Sequence, residues 1–392
     1  MLNGNGGVVA RLPWQNPKLA VQLAIFYGTS EFLRSGFFVG FFPLFGLERL
    51  GLPLSSIGLL TSLHYGAEAF GKVGTVWLSN RFPLGPGLFV SALLAALGYW
   101  GMLLGPALAY PVMAAAWGLA MAPIWPRIAA YLSQTARAAH RGRAVTYAWL
   151  IVTPMIGLGS FGVGFLTKNH LEWGRLALTA GSLVLPLLGL GLIGLRFPAV
   201  AGERKGYVLA RFAALLVPAF LQNLAPHLLT TVLFPFLKQA AIGPALLLAA
   251  IAVGGATFLA LIRPAARFAD QRDPALIVAL SALLAAIAFA GLALANPARA
   301  LLVVAPLVGA ALALYIPGWN SVVVRALPPN ERGEGWGAIN TVSGAAIAAG
   351  PAIGAFAWDA LGPEGPFLLG MLLLLLLLLY YLFFLRRMLI RP

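Results

Sequence analysis

Five ionisable side chains fall inside the first two membrane-length apolar stretches of this chain: Glu31 and Arg34 in one, His64, Glu68 and Lys72 in the other. An ionised group at mid-bilayer costs about 2.5–3.5 kcal/mol on insertion scales, so such groups persist where they pair, face a water-filled cavity or do chemistry. Glu31 and Arg34 are three residues apart and share one face of a helix, which Tyr27 and Phe38 extend. His64, Glu68 and Lys72 follow at intervals of four and form a second stripe. Lipid does not solvate either stripe, so the two helices are expected to turn them toward each other.

The chemistry that suits these residues is proton-coupled binding of a polar head. A carboxylate poised between desolvation and a neighbouring cation can load and release a proton. Glu68 is the first choice as carrier, with His64 one turn away as a relay and Glu31 either sharing the coupling or held ionised by Arg34. Arg34 offers a planar fork to hydroxyls or phosphates, and Trp125 and Trp149 offer indole faces to sugar rings. A purely structural reading stands beside this one. Glu31 and Arg34 then form a mutual ion pair, Lys72 caps the cytoplasmic end of the second helix, and the tryptophans are packing or interface aromatics.

The second half of the chain carries no acid at the centre of a span. Its polar candidates are Gln222, Asn223 and His227, then Trp319 with Asn320, and Asn340. His227 follows Pro226, where a broken helix can expose carbonyls; a packing histidine explains it equally well. One half thus offers charge and indole, and the other mostly Leu, Ala, Val, Phe and Gly. That asymmetry matches an amphiphile, with its head in the first half and its apolar chains along the second.

The elements that position these residues are membrane helices. The chain has 392 residues, of which 60% are hydrophobic and only 9% charged, against about 25% charged in a soluble domain. Twelve apolar runs are of spanning length: 19–45, 55–79, 85–104, 107–132, 144–167, 175–196, 209–236, 243–263, 275–296, 299–324, 335–358 and 365–385. They lack the alternation of a membrane β-barrel. The expectation is an all-α membrane protein of two six-helix halves, 1–196 and 209–392, joined by a polar cytoplasmic loop at 197–208. No cysteine is present, which excludes disulfides and thiolate chemistry. The N-terminal segment shows no removable signal peptide.

The net charge of +15 is a matter of topology more than of partners. With the N-terminus inside, eighteen of the 26 Lys and Arg residues fall in cytoplasmic segments and five in outer loops. This bias predicts both termini on the cytoplasmic side of the inner membrane and argues against a nucleic-acid partner. The basic run Arg137, His140, Arg141 and Arg143 suits anionic lipid heads. No Gly-rich phosphate loop ending in Lys-Ser/Thr is present, so ATP drive is not expected, and no ligand spacing suggests a metal. An enzyme is not expected either, because a catalytic pair near an interface is lacking.

The halves repeat weakly. Pro123-Ile-Trp125 in span four answers Pro317-Gly-Trp319 in span ten; Arg141-Gly142 answers Arg332-Gly333; and the Gly-rich runs TPMIGLGSFGVG and GAAIAAGPAIGA follow in the same order.

Twelve spans in duplicated halves with a basic central loop resemble the major facilitator superfamily. Its loop after span two has a counterpart in Gly74 to Gly85, where Asn80 replaces the usual acid before Arg81; the second-half counterpart keeps Asp270 and Arg272. The resemblance implies that Arg81, Asp270 and Arg272 act in gating. Gly350-Pro351 in span eleven is similar to the Gly-Pro motif that antiporters carry in span five, where this chain has Thr153-Pro154. Glu31, Arg34, Glu68, Trp125 and Trp149 together resemble the headgroup pocket of the proton-coupled glycolipid flippases of lipoteichoic acid synthesis. That resemblance implies a glycolipid substrate driven by the proton gradient without another cofactor, alternating access about a midplane site, and a monomer among membrane lipids. Proton-coupled efflux of hydrophobic drugs, or of another small solute, is the alternative.

Overall fold

The computed structural model describes residues 14–136, 141–196, 213–271, 273–327 and 332–386. Its elements are helical, and among the described residues the one β pairing is an isolated bridge between Trp14 and Ala136. In chain order the helices are α1 (Pro17–Ser35), α2 (Phe42–Glu48), α3 (Leu54–Arg81), α4 (Leu84–Leu104), α5 (Tyr110–Met121), α6 (Ile124–Gln134), α7 (Arg141–Gly157), α8 (Gly164–Asn169), α9 (Leu171–Gly191), α10 (Ala213–His227), α11 (Leu233–Gln239), α12 (Pro244–Gln271), α13 (Pro274–Leu294), α14 (Pro297–Ala326), α15 (Arg332–Leu361) and α16 (Gly365–Tyr380). Among the described residues nine helical stretches are long and apolar enough to cross a membrane. The continuous helix of α1 and α2, the charge-bearing α3, and the α10–α11 pair account for the rest of the twelve predicted spans.

Three helix starts share one local code. Asn16, Asp273 and Asn296 each precede a proline and cap the helix that follows. Their side-chain oxygens accept from Leu19 N–H at 3.2 Å, Ala275 N–H at 3.0 Å and Arg299 N–H at 3.2 Å. The caps satisfy orphan donors, and proline at the first helical position gives up an N–H that had no partner. Helix breaks have equally local causes. Pro226 ends α10; tight turns carry the chain from Leu228 to Val232, with Leu229 N–H on the Pro226 carbonyl at 3.2 Å. The chain then re-enters a helix at Leu233. Wider π turns at Gly36–Phe41 and Leu158–Val163 link α1 to α2 and α7 to α8.

The described chain divides into two compact units, residues 1–50 with 63–203 and residues 51–62 with 204–392. The first has an aromatic core in which Phe37 and Phe38 lie 5.2 and 5.1 Å from Trp117 and Phe37 lies 5.8 Å from Tyr99. The second is built around Val278, Trp319, Val322, Ile339, Leu374 and Tyr381.

The Gly-rich runs seat corresponding helix pairs in the two units. A Cβ on Gly40 would come within 2.6 Å of Gly164 N, and one on Gly159 within 2.6 Å of the Phe32 carbonyl, so α1 and its continuation lie backbone-close to the α7–α8 run. In the second unit Gly350 and Gly354 of α15 press on His227 and Leu228 at the end of α10. Small residues permit such approaches where lipid supplies no hydrophobic drive between helices. The first turns of α3 belong to this second unit. Ser55 N–H donates to Asp359 at 3.0 Å, and Ser62 Oγ accepts from Ala352 N–H at 2.9 Å.

Candidate functional site

Helices α1 and α3 bring the two charged stripes together within the first unit. Arg34 spreads its fork between two acids: one terminal nitrogen donates to Glu31, the other to Glu68. Lys72 Nζ lies 2.7 Å from the second oxygen of Glu68. Two carboxylates and two cations therefore form one chain with no net charge. The first three side chains are largely buried, at 3% exposed for Glu31, 15% for Arg34 and 11% for Glu68, and the chain opens at Lys72, at 47%. Such a set persists where ion pairs and hydrogen bonds replace the lost water. The Arg34 guanidinium carbon also lies 5.2 Å from the centre of the Tyr65 ring, a cation–π distance. Its Nε is buried without a hydrogen-bond partner.

An aromatic wall adjoins the charges. Tyr27, one turn before Glu31 on α1, stacks on Trp125 of α6 at 4.9 Å. It meets Trp149 of α7 edge-on at 5.9 Å, and the two indoles are 4.8 Å apart. Trp125 and Trp149 keep part of their surface uncovered. A face of this kind, beside a guanidinium, can stack on a sugar ring while the cation takes its hydroxyls.

His64 sits deeper in the aromatic packing. Its ring lies 4.2 Å from Phe38 and 5.6 Å from Trp117, and Nδ1 lies 3.3 Å from the Ala114 carbonyl. Nε2 is buried without a partner, and no hydrogen bond joins His64 to Glu68 among the described residues.

The second-unit candidates have separate surroundings. Gln222 accepts from the Tyr381 hydroxyl at 2.8 Å. The Asn223 amide donates to Ser343 at 3.1 Å, and His227 Nδ1 lies 2.6 Å from the Asn223 carbonyl. Trp319, the repeat partner of Trp125, is 5% exposed and packs in the apolar core of its unit. Asn340 is exposed on α15. Arg272 lies outside the described residues, as do the side chains of Arg81 and Asp270.

Sequence reasoning missed Tyr65, and set Arg127 in or near the membrane without giving it a role. Tyr65 is three residues before Glu68, a spacing that places it beside that acid on α3. Arg127 is buried and donates to the Phe82 carbonyl at 2.6 Å. A basic residue inside a span, with no acid one turn away, was its available signal.

A family model described as Major Facilitator Superfamily matches residues 23–350 and, in a second alignment, 229–390. The chain belongs to the Major Facilitator Superfamily. It is a multi-pass membrane transporter and not an enzyme. Solved structures with this fold include a bacterial homologue of the human lysosomal transporter Spinster, inward-facing and unoccupied. It is 14% identical, with a TM-score of 0.73 over 94% of this chain and 96% of the other. The nucleoside transporter NupG is 14% identical, with a TM-score of 0.71 over 93% and 98%. The human organic anion transporter MFSD10 is 16% identical, with a TM-score of 0.57 over 94% and 100%. At these identities the likeness is one of fold. No curated protein sequence matches the chain.

Proposed function

We propose that this superfamily member is a proton-coupled secondary transporter that moves an amphiphile, with a glycolipid flipped between the leaflets of the cytoplasmic membrane as its substrate. The observation that carries the reading is the single guanidinium of Arg34 shared by Glu31 and Glu68 beside the Tyr27–Trp125–Trp149 wall.

A proton on Glu68 removes the charge that holds one arm of Arg34 and the Lys72 ammonium. The freed arm then serves a hydroxyl or phosphate oxygen of the head, while the indoles take its ring face. When the proton leaves, the carboxylate recaptures the arm and the head is released. Proton and substrate therefore favour each other at the site, and by linkage each raises the affinity for the other. In this reading Glu31 keeps Arg34 anchored to α1 during the exchange. His64 is the candidate relay, the polar residues Gln222, Asn223, His227, Trp319 and Asn340 are candidate contacts from the second half, and the loop residues Arg81, Asp270 and Arg272 are candidates for gating. Both termini are placed inside and the working unit is a monomer.

The test is flipping of a fluorescent glycolipid in proteoliposomes under an imposed proton gradient. Glu68→Gln and Arg34→Ala should each abolish it, and undiminished flipping in both sinks the proposal. The aromatic wall also suits planar drug molecules, so the same vesicles separate efflux from flipping: proton-driven export of hydrophobic cations without lipid movement would favour the drug reading.

A further inference from the structure

The second unit contains a cavity of about 140 Å³ that belongs to none of the charges described above. It lies among α10, α13, α14 and α16, and its walls include Gln222, Ala285, Phe289, Leu312, Tyr315 and Tyr381. Leu312 in its wall is 48% exposed. Most of the lining is hydrocarbon or aromatic ring. Of the hydroxyls in its lining, Ser281 donates to the Ala311 carbonyl at 2.8 Å and Tyr381 donates to Gln222, while Tyr315 adds a third at the wall.

Gln222 breaks the pattern. Its Oε1 accepts from the Tyr381 hydroxyl at 2.8 Å, which fixes the amide, while its Nε2 is buried and has no partner. An unpaired buried N–H leaves its lost hydration uncompensated until an acceptor meets it. An apolar cavity near 150 Å³ takes a benzene-sized guest. Size and chemistry together specify a ligand: one ring or short branched chain, carrying a single hydrogen-bond acceptor within reach of Nε2.

We propose that this cavity is a binding site for a small apolar group bearing one carbonyl, ester or ether oxygen, which accepts from Gln222 Nε2. The cavity shares no residue with the Arg34 network, so it stands whether or not that network binds a headgroup; Gln222, a candidate substrate contact above, is here assigned to the second ligand.

The experiment compares acetophenone with ethylbenzene, rings of nearly the same shape with and without the oxygen. Thermal unfolding of the full-length protein in detergent is followed as each probe is titrated, and midpoint shifts convert to apparent affinities through mass action. Acetophenone should bind about three- to tenfold more tightly, the worth of one net hydrogen bond. Gln222→Leu should erase that preference while ethylbenzene still binds. Ala285→Phe, which fills the space, should lose the response to both probes. Equal affinities in the unmodified protein overturn the proposal without reference to any variant. So does a response that survives in Ala285→Phe, since the probes would then be acting through the micelle. If Gln222→Leu does not fold, Gln222→Met carries the same comparison with the chain length kept.

Discussion

Replacing Arg34 with methionine tests whether the charge chain is a coupled unit. In the native protein Arg34 serves two acids, and Glu31 has no other cation described at its carboxylate. Removing the guanidinium leaves one cation, Lys72, for two carboxylates, and leaves Glu31, 2% exposed, with its charge unmatched. Breaking a buried pair by deleting one partner costs about 3–5 kcal/mol. An exposed pair is worth about 0–1 kcal/mol, and Lys72, with its side chain 47% exposed, belongs nearer that end. Arg34→Met should therefore destabilise more than Lys72→Met by roughly 2–4 kcal/mol. The double variant Arg34→Met with Glu31→Gln should recover more than half of the Arg34→Met loss, because it also deletes the stranded acid while Glu68 keeps Lys72. Reversible unfolding in mixed micelles measures all three. Equal costs for Arg34→Met and Lys72→Met, or a double variant no better than Arg34→Met alone, would refute the coupling.

Other expectations follow from particular contacts. Trp319→Ala should cost about 3–5 kcal/mol, as for a core aromatic, and lower the folded yield, whereas Trp125→Ala should fold normally and lose transport; equal folded yields would reverse these assignments. Gly354→Ala places a methyl against the Leu228 carbonyl and should lower the unfolding midpoint through an overpacking cost of about 1–3 kcal/mol; an unchanged midpoint would show that α10 and α15 separate freely. Arg386 pairs with Asp273 at 2.7 Å on a half-exposed edge, so Arg386→Ala should cost under about 1 kcal/mol and less still at high salt. His64→Phe should keep the folded state, given the ring packing on Phe38 and Trp117; loss of pH dependence in folded His64→Phe would establish the relay, and unchanged pH dependence would leave the ring a packing role.

Fold class was legible because membrane-length apolar runs are local properties. The charged stripes were legible for the same reason: separations of three and four residues are helix geometry. The Pro226 break also lay on the surface of the sequence. What lay beyond it is tertiary. Trp125 and Trp319 sit in the same Pro-x-Trp context, yet one joins Tyr27 and Trp149 while the other is enclosed by Val278 and Val322. The difference comes from neighbouring helices, not from the tripeptide. The spacing of Tyr65 to Glu68 could be read on one helix, but its contact with Arg34, on a different helix, could not. The π turn at Gly36–Phe41 has no distinguishing composition, only glycines seated against a glycine-rich partner.

The arrangement of ion pairs also bears on how the protein enters the bilayer. Glu31 and Arg34 neutralise each other within α1, and Glu68 and Lys72 do so within α3. Leaving aside Lys18 and Arg81 at the helix ends, each helix can thus leave the translocation machinery with its inner charges balanced, before its neighbour has been synthesised. Of the three ion pairs described among these four residues, Arg34–Glu68 alone joins separate helices, and it can be made afterwards, in the membrane, by two segments that are already inserted.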